Sequence, residues 1–177
     1  RKAMLRTDLT TSIEIIDENT FQNNGIPVTK YFNVNKDGTL PPSKEAYVDF
    51  PLFRLGEIYL TYAEAVLRGC QGGDRATALR YVNDLRKRAY SDKTLAPISD
   101  SDLTLNFIID ERGREFFFEG QRRTDLVRFG LFTTAGYVWP WKGGAAKGKA
   151  VDSFYNVFPI PSDDIGSNTN LKQNEGY

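Results

Sequence analysis

Three carboxylates at a regular spacing are the first residues in this chain that could do chemistry. Glu111, Glu115 and Glu119 are four residues apart, so in a helix their side chains would share one face. Such a row could bind a metal ion or supply an acid and a base. The same stretch contains residues that could form ion pairs with one another and with the row: Arg112, Arg114, Arg122, Arg123, Arg128 and Asp125. Because a glycosidase needs two acids on either side of a cleft, we interpret the row as an ion-pair joint and predict neither a catalytic residue nor a metal site.

The segment GGAAKGKA, residues 143–150, partly matches a phosphate-binding loop. Gly143, Gly148 and Lys149 have the spacing of that loop, but Ala150 stands where a Ser or Thr hydroxyl would bind magnesium. The neighbouring residues lack the pattern of the strand that should precede the loop and of the helix that should follow it. We therefore predict no nucleotide cofactor, and no cofactor of another kind.

An aromatic group precedes that segment. Trp139 and Trp141 flank Pro140 in a glycine-rich part of the chain, and Tyr137 lies just before them. Exposed aromatic rings suit sugar binding because the C–H face of a pyranose can stack on them while its hydroxyls reach polar neighbours. The competing interpretation is that the two tryptophans hold a long loop against the helices. Tyr137, Trp139 and Trp141 are our candidate ligand-binding residues.

The composition excludes several classes of function. The 177 residues include no histidine, which removes Ser-His-Asp and Cys-His mechanisms and HExxH zinc sites. The single cysteine, Cys70, can form neither an internal disulfide nor a multi-cysteine metal site. Lys plus Arg and Asp plus Glu both number 23, so the chain lacks the positive charge typical of nucleic-acid binding. We predict a protein that is not an enzyme and does not bind nucleic acid.

The first part of the chain, residues 1–50, has the pattern of loops and short strands. β-Rich runs at 12–16 and 28–34 are separated by turn signals, NNG at 23–25 and KDG at 36–38. This pattern ends at Pro51.

From Pro51 onward the pattern is that of helices. In the first predicted helix, residues spaced by three and four form two stripes. The apolar stripe contains Leu52, Leu55, Tyr59, Tyr62 and Val66. The polar stripe contains Arg54, Glu57, Thr61, Glu64 and Arg68. Gly69 stops this helix, and after a short turn Asp74 can cap a second one. Its apolar face would consist of Ala78, Val82, Leu85 and Ala89. Helices joined by so short a loop should pack antiparallel, as in a tetratricopeptide unit.

A third helix is predicted after the hairpin. Ser101 would cap it, and it would run from about Asp102 to Glu119 until Gly120 interrupts it. Its apolar surface would come from Leu105, Ile108, Ile109, Phe116 and Phe117. A short helix should follow at about 124–129, and the remainder should be irregular. The predicted fold is mainly α, with tetratricopeptide-like helical hairpins, long irregular loops and a few short β-strands, and residues 51–177 form its helical part within a single domain.

Four segments, in this order, resemble the C-terminal part of the SusD/RagB family. They are RLGEIYLTYAEA at 54–65, NDLRKRA at 83–89, ERGREFFFEGQRRTDLVRFG at 111–130 and FPIPSDDIGSNTNLKQNEGY at 158–177. The resemblance covers roughly residues 28–177. The chain departs from the family pattern at three positions. Gly56 stands where a small but bulkier residue is usual, Gly113 lies inside a helix, and Glu175 replaces the proline of the closing motif.

The resemblance implies a surface lipoprotein. Proteins similar to this one lie on the extracellular face of the outer membrane, held by a lipid on an N-terminal cysteine. They capture glycans and pair with a SusC-type TonB-dependent transporter, and they do not cut their ligands. Because the chain begins with Arg1 and the family has a long upstream half, we expect a fragment of a longer protein. Cys70 cannot represent the lipid-bearing cysteine, so we expect contact with a membrane only through a lipid anchor outside this sequence.

A second interpretation is a helical module that binds the transporter or a peptide. An apolar groove lined by helix faces would favour this interpretation, whereas a shallow site with exposed tryptophan faces would favour a glycan. The ligand contacts of the family vary, so no binding residue is taken from the resemblance.

Overall fold

The computed structural model describes residues 4–5, 11–12, 30–31, 34–35, 37–40, 42 and 48–177 of the chain. The chain folds as two compact units, Arg1–Phe50 and Pro51–Tyr177. In the first unit, strand β1 (Met4–Leu5) pairs antiparallel with strand β2 (Thr11–Ser12). The second unit contains five α-helices: α1 (Leu55–Leu67), α2 (Arg75–Ala89), α3 (Leu105–Glu115), α4 (Arg122–Arg128) and α5 (Ser162–Ser167).

The sequence predictions for the first unit can be compared with the structure at only a few positions. Most of the predicted strands at 12–16 and 28–34, and the turn at 23–25, lie outside the described residues. Tyr31, inside the second run, has turn backbone with a φ of 60°. The predicted turn at KDG is present in its described part, because the Gly38 N–H donates to the Asn35 carbonyl at 2.9 Å.

Helices α1 and α2 form the predicted antiparallel hairpin. The rings of Tyr59 and Tyr81, near the middle of each helix, stack with centroids 4.2 Å apart. The Asp74 carboxylate accepts a hydrogen bond from the Thr77 N–H at 2.7 Å, so the predicted cap is confirmed. The Tyr62 hydroxyl of α1 in turn accepts from the Asp74 N–H at 3.0 Å. The cap and the hairpin contact therefore depend on the same turn.

The apolar core lies between the hairpin and α3. It is formed by Leu60, Ala63, Ala78, Val82, Leu85, Leu103, Ile108 and Phe116. The predicted apolar faces are therefore only partly correct, because Leu52 and Leu55 of the first stripe are 73% and 62% exposed and Ala89 is exposed. The physical reason is that α1 also buries part of its polar stripe, including Glu64, so the apolar periodicity alone points in the wrong direction.

Helix α3 begins later than the sequence suggests. Thr104, and not Ser101, is its cap, with the Thr104 hydroxyl accepting from the Phe107 N–H at 3.1 Å. The prediction of a start near Asp102 is wrong because the Asp102 carboxylate accepts from both the N–H and the hydroxyl of Ser99, at 3.0 and 2.5 Å. These bonds, which lower the pKa of Asp102, form a local turn in place of a helix.

Helix α3 also ends earlier than predicted, at Glu115. Phe118 and Gly120 both have left-handed backbone, with φ of 62° and 76°, which a continuing helix does not allow. Of the three phenylalanines in this turn, Phe116 is buried at 3% exposure, whereas Phe117 and Phe118 are 40% and 59% exposed. Of the two phenylalanines predicted to supply apolar surface to this helix, Phe116 is therefore buried and Phe117 is not.

The row of carboxylates is an ion-pair joint, as the sequence predicts, although Glu111 and Glu115 lie in α3 and Glu119 lies in the turn after it. Each glutamate has an arginine partner: Glu111 pairs with Arg86 and Arg114, Glu115 with Arg54 and Arg88, and Glu119 with Arg54. Burial alone would lower the pKa of Arg54, but its hydrogen bonds to Glu119 and Glu115 raise it. Within the described part of the chain, no group of three or more acidic or cysteine side chains could hold a metal ion.

A second set of ion pairs joins α3, α4 and α1. The Arg112 guanidinium of α3 contacts the Asp125 carboxylate of α4 at 2.8 Å, with both side chains buried. Arg128 contacts the other oxygen of Asp125 at 2.9 Å and also pairs with Glu64 of α1. Helix α4 is thus held by charged groups on two sides.

The last segment folds back on itself. The Gln173 side chain accepts from the Ile160 N–H at 2.8 Å and donates to the Ile160 carbonyl at 2.9 Å. The Asn174 side chain donates to the Phe158 carbonyl at 2.7 Å. Between these partners lies α5, a short helix in the segment that we predicted to be irregular. Among the described residues, no helix has both the length and the apolar character needed to cross a membrane.

The buried pair of Arg112 and Asp125 should be essential for stability. We expect Asp125→Asn to lower the free energy of unfolding by about 3 kcal/mol, because the amide N–H₂ would face a guanidinium group and the buried Arg112 would lose its carboxylate partner. The control is Asp84→Asn, since the pair of Arg80 and Asp84 is exposed and 3.8 Å long; it should cost less than about 1 kcal/mol. Urea denaturation measures both, and equal losses would contradict the prediction.

Candidate functional site

The candidate ligand-binding residues lie in a loop that is closed around a buried lysine. The Lys142 ammonium donates to the carbonyl oxygens of Thr134 and Tyr137 at 2.8 and 2.6 Å. It also lies 4.8 Å from the centre of the Trp139 ring, within cation–π range. Burial lowers the pKa of Lys142. This lysine has no sequence signature, although it holds the loop together.

The GGAAKGKA segment completes the same loop. The Lys149 N–H donates to the Lys142 carbonyl at 3.1 Å. Gly148 has a φ of 76°, and a Cβ atom there would lie 2.3 Å from the Trp139 carbonyl oxygen, so only glycine fits. Neither the preceding strand nor the following α-helix of a phosphate-binding loop is present around these described residues. The glycine therefore serves loop packing.

Tyr137 connects the loop to α3 and α4. Its hydroxyl donates to the Asp110 carboxylate at 2.6 Å and accepts from the Arg122 guanidinium. Burial, and then the bond to Asp110, raise the pKa of Tyr137. A second nitrogen of Arg122 donates to the Ile109 carbonyl at 2.7 Å. The Tyr137 hydroxyl is thus fully used inside the fold, and its ring is what remains for a ligand.

A cleft of about 750 Å³, which we call the α3–α4 cleft, lies beside these residues. It is lined by Asp110, Arg112, Gly113, Arg114, Phe116, Phe117, Phe118, Gly120, Arg122, Arg123, Leu126, Phe132, Tyr137, Val138 and Trp139. Two of the three candidate residues are brought together here, with the Tyr137 and Trp139 ring centroids 6.4 Å apart. Trp141 does not line the cleft, and its backbone N–H donates to the Ala145 carbonyl within its own loop.

The cleft combines aromatic rings with a few polar groups. Arg123 stacks on the rings of Phe158 and Phe132, with its guanidinium carbon 3.9 and 5.2 Å from their centres, and donates to the Tyr155 carbonyl. Of the described residues that line the cleft, Asp110 alone carries a carboxylate. The pair of acids that a glycosidase requires is therefore not present at this cleft. The cleft offers aromatic rings for stacking and guanidinium groups as hydrogen-bond donors.

Several lining residues were missed by the sequence analysis. Phe117 was expected to supply apolar surface to the third helix and Arg123 to form ion pairs, whereas Phe118, Phe132 and Val138 were not considered as ligand contacts. The run EFFF offered a signal, because three consecutive aromatic residues cannot all face the core at the end of one helix.

The SusD family model matches residues 14–177 of the chain. The chain belongs to the SusD family. It is 50% identical over 155 residues to the starch-binding protein SusD of Bacteroides thetaiotaomicron. This match covers 86% of the chain and 26% of that relative. The chain is also 30% identical over 131 residues to the SusD-like protein P25 of Formosa agariphila, and this match covers 71% of the chain and 24% of that protein.

Solved structures of the SusD superfamily have the same fold. The surface glycan-binding protein A of Bacteroides thetaiotaomicron, in complex with laminarihexaose, matches with a TM-score of 0.56 and 33% identity over 71% of the chain and 24% of that protein. A SusD superfamily protein of Parabacteroides distasonis matches with a TM-score of 0.52 and 25% identity over 72% of the chain and 27% of that protein. The chain spans about a quarter of the length of its curated SusD relatives. The predicted family and the predicted mainly α fold are both confirmed.

Removing the Lys142 ammonium should loosen the loop. We expect Lys142→Met to lower the free energy of unfolding by about 2 kcal/mol, because the carbonyl groups of Thr134 and Tyr137 lose their charged donor. Both tryptophans of the chain, Trp139 and Trp141, are in this loop, so tryptophan fluorescence should shift to the red as the loop opens. The matched control is Lys149→Met, whose side chain is exposed and which should leave stability and emission unchanged. Identical spectra for the two variants would contradict this role for Lys142.

Proposed function

We propose that this chain is part of a non-catalytic glycan-binding protein, and that the α3–α4 cleft holds an oligosaccharide against Trp139 and Tyr137. The observation that carries the proposal is the position of these two rings in a cleft of a protein that is 50% identical to a relative named for starch binding. The cleft volume also lies within the usual range for ligand sites, about 300–1,000 Å³.

The geometry suits a sugar for a specific reason. A pyranose presents an apolar C–H face and a rim of hydroxyls, so it needs a flat apolar surface beside polar groups. Trp139 supplies the surface, held by its contact with Lys142. Arg123 and Asp110 line the same cleft and supply a donor and an acceptor for hydroxyls. Arg123 and Asp110 already use part of their hydrogen-bonding capacity within the fold. This favours modest affinity for the sugar, which suits a protein that passes its ligand on.

The proposal includes a partner and a location. We assign the protein to the extracellular face of the outer membrane, attached by a lipid, where it would deliver glycan to a SusC-type TonB-dependent transporter. Membership of the SusD family supports this assignment. Trp141 remains a candidate contact, but its place outside the cleft makes it the weaker of the two tryptophans.

A second candidate function is that of a helical protein-interaction module. The observation that favours it is the exposed apolar surface of α1, where Leu55 and Ile58 are 62% and 60% exposed. Apolar patches of this kind are typical of protein contacts. This function predicts that no glycan binds the α3–α4 cleft.

The test is calorimetric titration with malto-oligosaccharides, laminari-oligosaccharides and cello-oligosaccharides. We expect one series to bind, and Trp139→Ala to weaken its binding about tenfold, because the stacking surface is lost. The comparison variant is Trp141→Ala, which removes the same side chain from the same loop outside the cleft and should weaken binding less than Trp139→Ala does. Thermal unfolding checks that both variants keep their fold.

The outcomes separate the candidate functions. Loss of binding in Trp141→Ala with normal binding in Trp139→Ala would move the site out of the cleft. If the unaltered protein bound no glycan of any series, the interaction module would replace our proposal.

A further inference from the structure

Phe118 has a backbone conformation that phenylalanine rarely adopts. Its φ of 62° lies in the left-handed region, where a bulky side chain is strained. The side chain is also 59% exposed, so burial of the ring does not compensate for the strain. A glycine would adopt the same backbone without strain, and a polar residue would suit the exposure better.

The surrounding residues hold Phe118 in this conformation. Phe116, two residues before it, is buried beneath the guanidinium groups of Arg54 and Arg112, whose central carbons lie 4.7 and 5.0 Å from the ring centre. Glu119, directly after it, is buried and accepts two hydrogen bonds from Arg54 at 2.7 and 2.8 Å. The Glu119 N–H donates to the Phe116 carbonyl at 2.9 Å. With both neighbours fixed, the chain between them has little freedom to relax.

The strained turn presents an aromatic ring to the α3–α4 cleft. Phe118 lines the cleft from the turn between α3 and α4, whereas Trp139 lines it from the loop held by Lys142. The Phe117 ring, 5.4 Å from that of Phe118, extends the same apolar surface. Local strain that the surrounding structure maintains is typical of ligand sites.

We propose that Phe118 is a second stacking surface for the bound oligosaccharide, and that the left-handed turn exists to place its ring in the cleft. This inference rests on the glycan-binding function proposed above. Two aromatic surfaces supplied by two different segments would contact more of an extended ligand than Trp139 alone. Phe118 would then contribute to affinity without contributing to the stability of the fold.

The deciding variant is Phe118→Gly, which removes the ring and the backbone strain together. We expect its melting temperature to be equal to or above that of the unaltered protein, and its affinity for the oligosaccharide that binds in the panel to fall about tenfold. Phe118→Tyr keeps the ring and should restore the affinity. Calorimetry and thermal unfolding are measured on the same preparations.

Three outcomes would overturn the inference, and they are distinguishable. A clear loss of thermal stability in Phe118→Gly would mean that the ring supports the fold. Normal affinity in Phe118→Gly, combined with weakened binding in Trp139→Ala, would reject Phe118 as a contact and leave the proposed function intact. Absence of glycan binding in the unaltered protein would reject both.

Discussion

The buried ion pairs of α3 are the interaction on which the rest of the second unit depends. Apolar packing joins α1 to both α2 and α3, and ion pairs add a second set of contacts to α3, the turn after it and α4: Arg54 with Glu115 and Glu119, and Glu64 with Arg128. A buried charge is stable only if its partner stays in place. The position of the turn after α3 is therefore fixed, and so is that side of the α3–α4 cleft.

Two glycines make this arrangement sterically feasible. A Cβ atom on Gly56 would lie 2.7 Å from a guanidinium nitrogen of Arg54, and one on Gly113 would lie 3.0 Å from a guanidinium nitrogen of Arg122. Glycine inside a helix costs about 1 kcal/mol relative to alanine. Both positions differ from what the family resemblance leads one to expect, and in both the space is used by an arginine. The lost helix propensity is offset by the contact that the missing side chain allows.

Local structure could be predicted from the sequence more reliably than the burial of individual side chains. The Asp74 cap and the short helix α4 depend on neighbours in the chain, and both were predictable. The buried side of α1 was not, because Glu64 looks like a solvent-facing residue until its arginine partner is known. Lys142 was missed for the same reason, since its partners are backbone carbonyls of a loop that has no sequence signature. The left-handed backbone of Phe118 has no signature either, because glycine or asparagine would be expected there.

The cleft brings these constraints together. Its α3–α4 side is held by the ion pairs of the half-buried Arg54 and its loop side by the buried Lys142 ammonium, so cations fix two segments without regular structure. Such support is expensive for a protein that needs only a stable fold, because each cation must be desolvated and fully paired. It is reasonable for a protein that must keep aromatic rings exposed to water, since rings on mobile segments would collapse onto the nearest apolar surface. We infer that this support keeps the rings of Trp139 and Phe118 available for the proposed ligand.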